Sequence, residues 1–282
     1  KEINGHGISI MEIKLDTLGN WHIVRDSKYN RRFTAGHGSE MLIAGPVAAK
    51  PSLTETAYTA KHGANKTRGT INNCGNGFTP WGTYLTCEEN WNQYFVNRGT
   101  VPADQNRIGI NASSNRGYPW DTVVDAGERD GEFARWNLTP QAGKTAAEDF
   151  RNEANGFGYV VEIDPYNPAS KAVKRTSMGR FKHEGAAYGK LEAGKPLSIY
   201  SGDDQTNDYV YKFVTAGRYN PEDRAANMDL LDEGTLYVAR FDADGRVVWM
   251  PLVQGEGPLT PENGFESQAD VMIETRRAAD LL

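Results

Sequence analysis

The sequence predicts an all-β protein of the β-propeller class, incomplete in itself and interrupted by long loop excursions. Three observations point there. Glycine is 30 of 282 residues and aromatics make up 10%, with 13 tyrosines, a balance of turns and aromatic strands. Short strand-like runs recur along most of the chain. Several of these runs follow one another as meanders: Glu184 to Tyr188, Leu197 to Ser201 and Tyr209 to Val214 read as three successive strands. Repetition of this kind favours a propeller over a sandwich, although no fixed period aligns and a sandwich with loops stays the rival.

Taken in order, Gly7 to Ile13 alternates apolar and polar residues, and a turn at Asp16 to Asn20 leads to Trp21–Val24. Trp81 to Glu89 is the next strand. Phe157 to Ile163 is closed by Asp164-Pro165-Tyr166-Asn167-Pro168, and Lys171 to Thr176 follows. Gly234 to Phe241 and Arg246 to Val253 flank Asp242-Ala243-Asp244-Gly245, a strong hairpin signal. Residues 98 to 155 break this rhythm. They form a polar excursion too long for a bare connector, either partly ordered over the mouth of the domain or flexible, with a short helix expected at Lys144 to Glu153. Tyr219 to Leu231 is a second excursion with a helical turn near Pro221. One partial propeller domain over 1–282 is expected.

The formal net charge of -6 argues against nucleic acid as a partner. No apolar run is long enough for a membrane span. Cys74 and Cys87 are the only cysteines, too few for a disulfide scaffold, though a single bridge between them is open in an oxidising compartment. Both ends read as cut from a longer chain, and open sheet edges would then pair with another copy or with the remainder of the same chain.

The stretch Trp81-Gly82-Thr83-Tyr84-Leu85-Thr86-Cys87-Glu88-Glu89-Asn90-Trp91 carries the strongest chemical signal. A straight strand sends Cys87 and Glu89 to one face and Glu88 to the other, but a bend at the strand end would bring all three to one rim. A soft sulfur beside hard oxygens suits a transition metal together with a hard cation. Asn72-Asn73-Cys74-Gly75-Asn76-Gly77 reads as tight turns with positive φ whose carbonyls, at Asn73 and Asn76 among others, suit calcium, or as a plain turn. In Phe181-Lys182-His183-Glu184-Gly185-Ala186, small residues after Glu184 permit close strand approach, as near a propeller axis. His183 is a ligand, a proton shuttle or a solvated imidazole. Asp203 and Asp204 at a strand end are either a hard-cation site or a solvated turn. His6 and His37, beside glycines, are expected near the rim. Phosphate-cradling Gly-rich loops, serine-nucleophile elbows and His-Glu-x-x-His zinc motifs are absent.

Those residues carry a resemblance. Gly77 through Asn90, Phe157 to Pro165, Phe181 to Ala186, Tyr200-Ser201-Gly202-Asp203-Asp204 with Tyr209 to Phe213, and Gly234 to Phe241 resemble the PhoX-type alkaline phosphatase family. The resemblance implies a β-propeller, six-bladed in the intact protein, phosphomonoester hydrolysis, and Fe3+ and Ca2+ clustered in a central channel. It also implies twin-arginine export to the periplasm or beyond. By resemblance, Cys87 is the iron-binding thiolate and a catalytic-site residue, and Glu88 and Glu184 are cluster carboxylates, Glu184 also catalytic. Glu89, Asp203, Asp204, Asn73 and Asn76 are further candidates. The family pattern continues past Leu282 with an Arg-Pro-Glu segment and a later aspartate, which this chain lacks. Three readings stay open: a metal-dependent phosphatase acting on small phosphate monoesters; a non-catalytic, calcium-stabilised binding propeller; and an enzyme of which this chain, taken alone, is inactive. On the enzymatic reading, Cys87 and Glu184 meet in one central cavity.

Overall fold

A computed structural model describes residues 1–36, 38–114, 117–124 and 130–282. His37 lies outside the described residues. The chain is mostly β. Fifteen strands are described: β1 (Gly7–Ile10), β2 (Ile13–Leu15), β3 (Trp21–Ile23), β4 (Arg31–Thr34), β5 (Glu40–Ala44), β6 (Lys66–Arg68), β7 (Asn73–Phe78), β8 (Tyr84–Glu88), β9 (Val160–Ile163), β10 (Val173–Arg175), β11 (Ala187–Tyr188), β12 (Ser198–Gly202), β13 (Val210–Thr215), β14 (Gly234–Phe241) and β15 (Val247–Pro251). The helices are short: α1 (Ala57–His62), α2 (Ala103–Ile108), α3 (Gln268–Ile273) and α4 (Thr275–Asp280). Among the described residues no helix is long and apolar enough to cross a membrane.

Of the four sheets described, the first large one has six strands in the order β6-β5-β10-β9-β8-β7, the second large one five in the order β11-β12-β13-β14-β15, and β1–β4 and β2–β3 are two-stranded. The second is the meander that the sequence spacing predicts. Every step of it is antiparallel, and it ends in the hairpin turned at Asp242 to Gly245. The first could not be assembled from spacing alone, because β10 joins β5 in parallel across more than a hundred residues. Among the described residues neither sheet closes on itself.

The sheets share one core. Leu85, Cys87 and Val160 of the first meet Ile199, Tyr211, Phe213, Leu236 and Val238 of the second, with Val271 and Met272 of α3 packed on the same cluster. The described residues of the 98–155 excursion pack against the rest of the chain. They carry α2 and bury Ile108, Ile110, Trp120, Trp136, Leu138 and Ala154 against Trp91, Tyr94, Phe95 and Phe157 in a second core. Where a helix was expected at Lys144 to Glu153, only a single 3-10 turn forms at Ala146–Glu148, boxed by Thr145 and Glu148. His6 is held edge-on to Tyr94, 5.1 Å between ring centroids, on this aromatic side. In the β2–β3 hairpin, Ile13 pairs with Ile23 and Leu15 with Trp21, so four apolar side chains share one exposed face.

Candidate metal centre

The end of β8 separates its side chains by strand alternation. Leu85 and Cys87 face the shared core, and Glu89 follows them on that side. Glu88 faces away. Its carboxylate accepts from Lys174 Nζ at 2.6 Å, Thr70 Oγ1 at 2.8 Å, and the backbone N–H groups of Gly158 and Tyr159 at 2.8 and 3.1 Å. Glu88 and Lys174 are both wholly inaccessible. Burial pulls the Lys174 ammonium below its ordinary pKa, and the Glu88 charge opposes that pull. The structure thus places Glu88, expected as a metal ligand, in a buried ion pair away from the rim. Its oxygens are used by protein donors, which tie β8 to β10 and to the strand start at Val160.

What comes to the rim instead is a trio. Oxygens of Glu89, Glu184 and Asp204 all lie within 4.8 Å of one another, with Glu89 buried and the other two exposed. Three links of main chain create this meeting. His183 N–H donates to Glu88 O at 3.1 Å, Glu184 N–H to Gly202 O at 3.1 Å, and Asp204 N–H to Lys182 O at 3.0 Å. Residues 182–184 are thus the seam between the end of β8 in one sheet and the end of β12 in the other. Close approach across this seam requires glycine. A Cβ on Gly75 would lie 2.4 Å from the Glu184 carbonyl carbon, and one on Gly77 would lie 2.2 Å from Ala186 O. Neither glycine has positive φ; only Asn72 does in this stretch, at 48°. The expected turn at Asn72–Gly77 is in fact β7 with a bulge between Asn73 and Asn76.

Among the described residues none of the three carboxylates pairs with a lysine or arginine. Glu89 is held above the usual carboxylate range, first by burial, then through hydrogen bonding with Asp204 and the charge of Glu184, against a lowering contact from Cys74. Like charges gathered this way without a direct ion pair suit a bound cation. Cys74 belongs to the same group. Its exposed thiol donates to Asn72 Oδ1 at 3.5 Å and senses the charges of Glu89, Glu184 and Asp204. Burial and those charges push it up to about 12, so it becomes a thiolate only when a cation is beside it.

The other candidates are elsewhere. Cys87 is fully buried among apolar side chains, and burial followed by the Glu184 charge pushes its thiol up to about 12. It does not share an open cavity with Glu184. Both cysteines are free thiols, so the open question of a bridge is answered against it. Asp203 is engaged by protein donors: Arg276 of α4 grips its carboxylate through two nitrogens, Nε at 2.7 Å, and Lys182 N–H donates to it at 3.3 Å. Asn73 donates to Thr70 Oγ1 at 2.7 Å on the Glu88 side, and Asn76 meets the seam through its carbonyl, at 3.5 Å from Ala186 N. His183 is not solvated. It is buried, bonded to Ser201 Oγ at 2.9 Å and Gly179 O at 3.1 Å, stacked on Phe181, and lowered by that burial to about 3. Sequence reasoning missed Cys74 as a site residue. Its place in a dense Asn/Gly stretch one strand from Glu89 was the available signal.

The sequence pattern of alkaline phosphatase PhoX matches residues 1–282. The chain belongs to the PhoX alkaline phosphatase family. The fold agrees with a solved PhoX structure, "Pseudomonas fluorescens PhoX in complex with vanadate, a transition state analogue", at a TM-score of 0.83 and 40% sequence identity. That match covers 98% of this chain and 45% of the other, so the chain spans less than half the length of the PhoX protein it resembles. Among curated proteins none matches.

Proposed function

We propose that this chain contributes a metal-binding rim to a phosphomonoesterase that hydrolyses small phosphate monoesters, and that the rim holds iron and calcium. The observation that carries this reading is the unpaired trio Glu89, Glu184 and Asp204 with the Cys74 thiol beside it. The donor set is mixed: hard oxygens suit calcium or trivalent iron, and a thiolate suits iron. The vanadate held by the PhoX relative mimics pentacoordinate phosphorus, which supports phosphoryl chemistry for the family. Cations bound here would supply Lewis acidity toward the phosphoryl oxygens and lower the proton affinity of water.

The chain's own residues do the holding. Glu89, Glu184 and Asp204 offer oxygens from three separate segments, so a ligand there clamps the two sheets together. Asn72 fixes the rim: its carbonyl accepts from Glu89 N–H at 3.0 Å and its side chain from Asn90 N–H at 2.8 Å. The buried Glu88–Lys174 pair anchors the strand that presents Glu89. On this reading the two sheets are successive blades of a six-bladed propeller completed by the rest of a longer, exported protein.

Chelation tests the reading. Stripping the full-length protein with a chelator should abolish turnover of p-nitrophenyl phosphate, and adding iron and calcium back should restore it. Turnover that survives in metal-free protein would overturn it. The two cysteines separate in a second experiment. Cys74→Ser should lower iron content and remove visible thiolate-to-iron absorption. Cys87→Ser should leave both in place while destabilising the fold by about 1–3 kcal/mol, because a hydroxyl then lies among apolar groups. The opposite pattern would return Cys87 to the metal.

A further inference from the structure

Beside the carboxylate rim lies a cavity of about 400 Å³ that the metal chemistry does not use. Its size is that of a small-molecule site, but its lining is polar. Asn92, Gln93, Asn106 and Gln205 contribute amides, Arg107 and Lys182 contribute positive charge, and no carboxylate or aromatic ring is among the lining residues. That is unusual in a chain of net charge -6. Arg107 is committed to Asp208 and Asp280. Lys182 is not: only 9% exposed, its ammonium makes no hydrogen bond or ion pair among the described residues. Asn92 is 7% exposed; its amide nitrogen donates to Ile108 O at 3.0 Å, while its Oδ1 is buried without a partner. The Lys182 ammonium opens on the cavity in the field of Asp203, Glu89 and Asp204, with no hydrogen-bonded partner among the described residues. The cavity also borders the rim. Lys182 O accepts the Asp204 N–H at 3.0 Å, and Gln205 follows Asp204 directly.

We propose that this cavity is the subsite for the alcohol half of the substrate, that it takes a polyhydroxylated, sugar-like group in preference to an aryl group, and that Lys182 faces the phosphoryl anion where cavity and rim join. This rests on the phosphomonoesterase reading and deepens it. Amides both donate to and accept from hydroxyls. A phenyl ring would leave these amides desolvated and unmatched, which is how a polar pocket rejects an apolar group.

Calorimetric titration of the full-length protein tests this with two non-hydrolysable probes, a hexose phosphonate and phenylphosphonate. The hexose phosphonate should bind about tenfold more tightly. Asn106→Leu and Gln93→Leu, on side chains that are exposed or half-buried, should shrink that ratio without weakening phenylphosphonate. Lys182→Met should weaken both probes alike. Equal binding of the two probes, or a ratio unmoved by both leucine variants, overturns the subsite. Turnover of p-nitrophenyl phosphate by the same preparation reads the phosphatase assignment separately. Turnover without sugar preference removes the subsite alone, and sugar preference without turnover removes the phosphatase reading alone.

Discussion

Glu184→Ala should strip the rim of metal and lower p-nitrophenyl phosphate turnover by about 10²–10³-fold, the scale seen when one preorganised electrostatic contact to a transition state is removed. Glu184 is the member of the trio that the seam itself delivers, and without it Glu89 and Asp204 are left as two oxygens' worth of support on facing sheets. Elemental analysis and turnover of the full-length variant are the measurements; unchanged metal content with unchanged turnover would remove the proposed centre. The fold should survive. Glu184 is one of the charges that hold the Glu89 carboxyl above its usual range. A carboxyl raised in the folded state stabilises the fold while it stays protonated, and that contribution fades as pH rises through its folded pKa. Removing Glu184 relieves that repulsion. Metal-free variant should therefore melt no lower than metal-free wild type near neutral pH, which separates loss of function from loss of structure.

Lys174→Met should lower stability by about 3–5 kcal/mol, because it leaves the Glu88 carboxylate buried and uncompensated. Both groups are wholly inaccessible, 2.6 Å apart, and the ammonium also lies 4.0 Å from the centre of the Phe157 ring. Thermal unfolding should show a fall in Tm of roughly 10 °C. Glu88→Gln combined with Lys174→Met should recover much of this. The amide oxygen still accepts from Gly158 and Tyr159, and no bare charge remains. A single Lys174→Met variant that melts like wild type would mean that the pair does not anchor the strand. Because Glu89 follows Glu88 directly, a strand end that moves also spoils the rim, so metal content should drop with stability in the single variant and return in the double one.

The five-stranded meander was legible because its pairings are local. Leu197 to Ser201, Tyr209 to Val214, Gly234 to Phe241 and Arg246 to Val253 pair with their neighbours in sequence, and a turn signal suffices to place such strands. The other sheet was not legible. Glu40–Ala44 and Lys66–Arg68 carry little alternation, and Asn73–Phe78 reads as a turn because its asparagines and glycines are poor strand formers. Those glycines are there for the space they leave against Glu184 and Ala186, which no local rule reveals. The aromatic core of the 98–155 excursion was hidden in the same way, its tryptophans spaced without helix or strand period.

By itself the sequence determined the family, the mostly β class, and a set of candidate carboxylates that included Glu89, Glu184 and Asp204, with Cys87 as the candidate thiol. Only the tertiary structure decided which of them meet. Period-two alternation turned Glu88 away from its neighbour and into a buried pair with Lys174, and Arg276 from the last helix claimed Asp203 while Asp204 remained open. Cys74 came to the rim and Cys87 went to the core. The physical reason is that a strand's end fixes only the face on which a side chain lies. Whether that face meets a cation, an opposing carboxylate or an apolar core depends on segments about a hundred residues away.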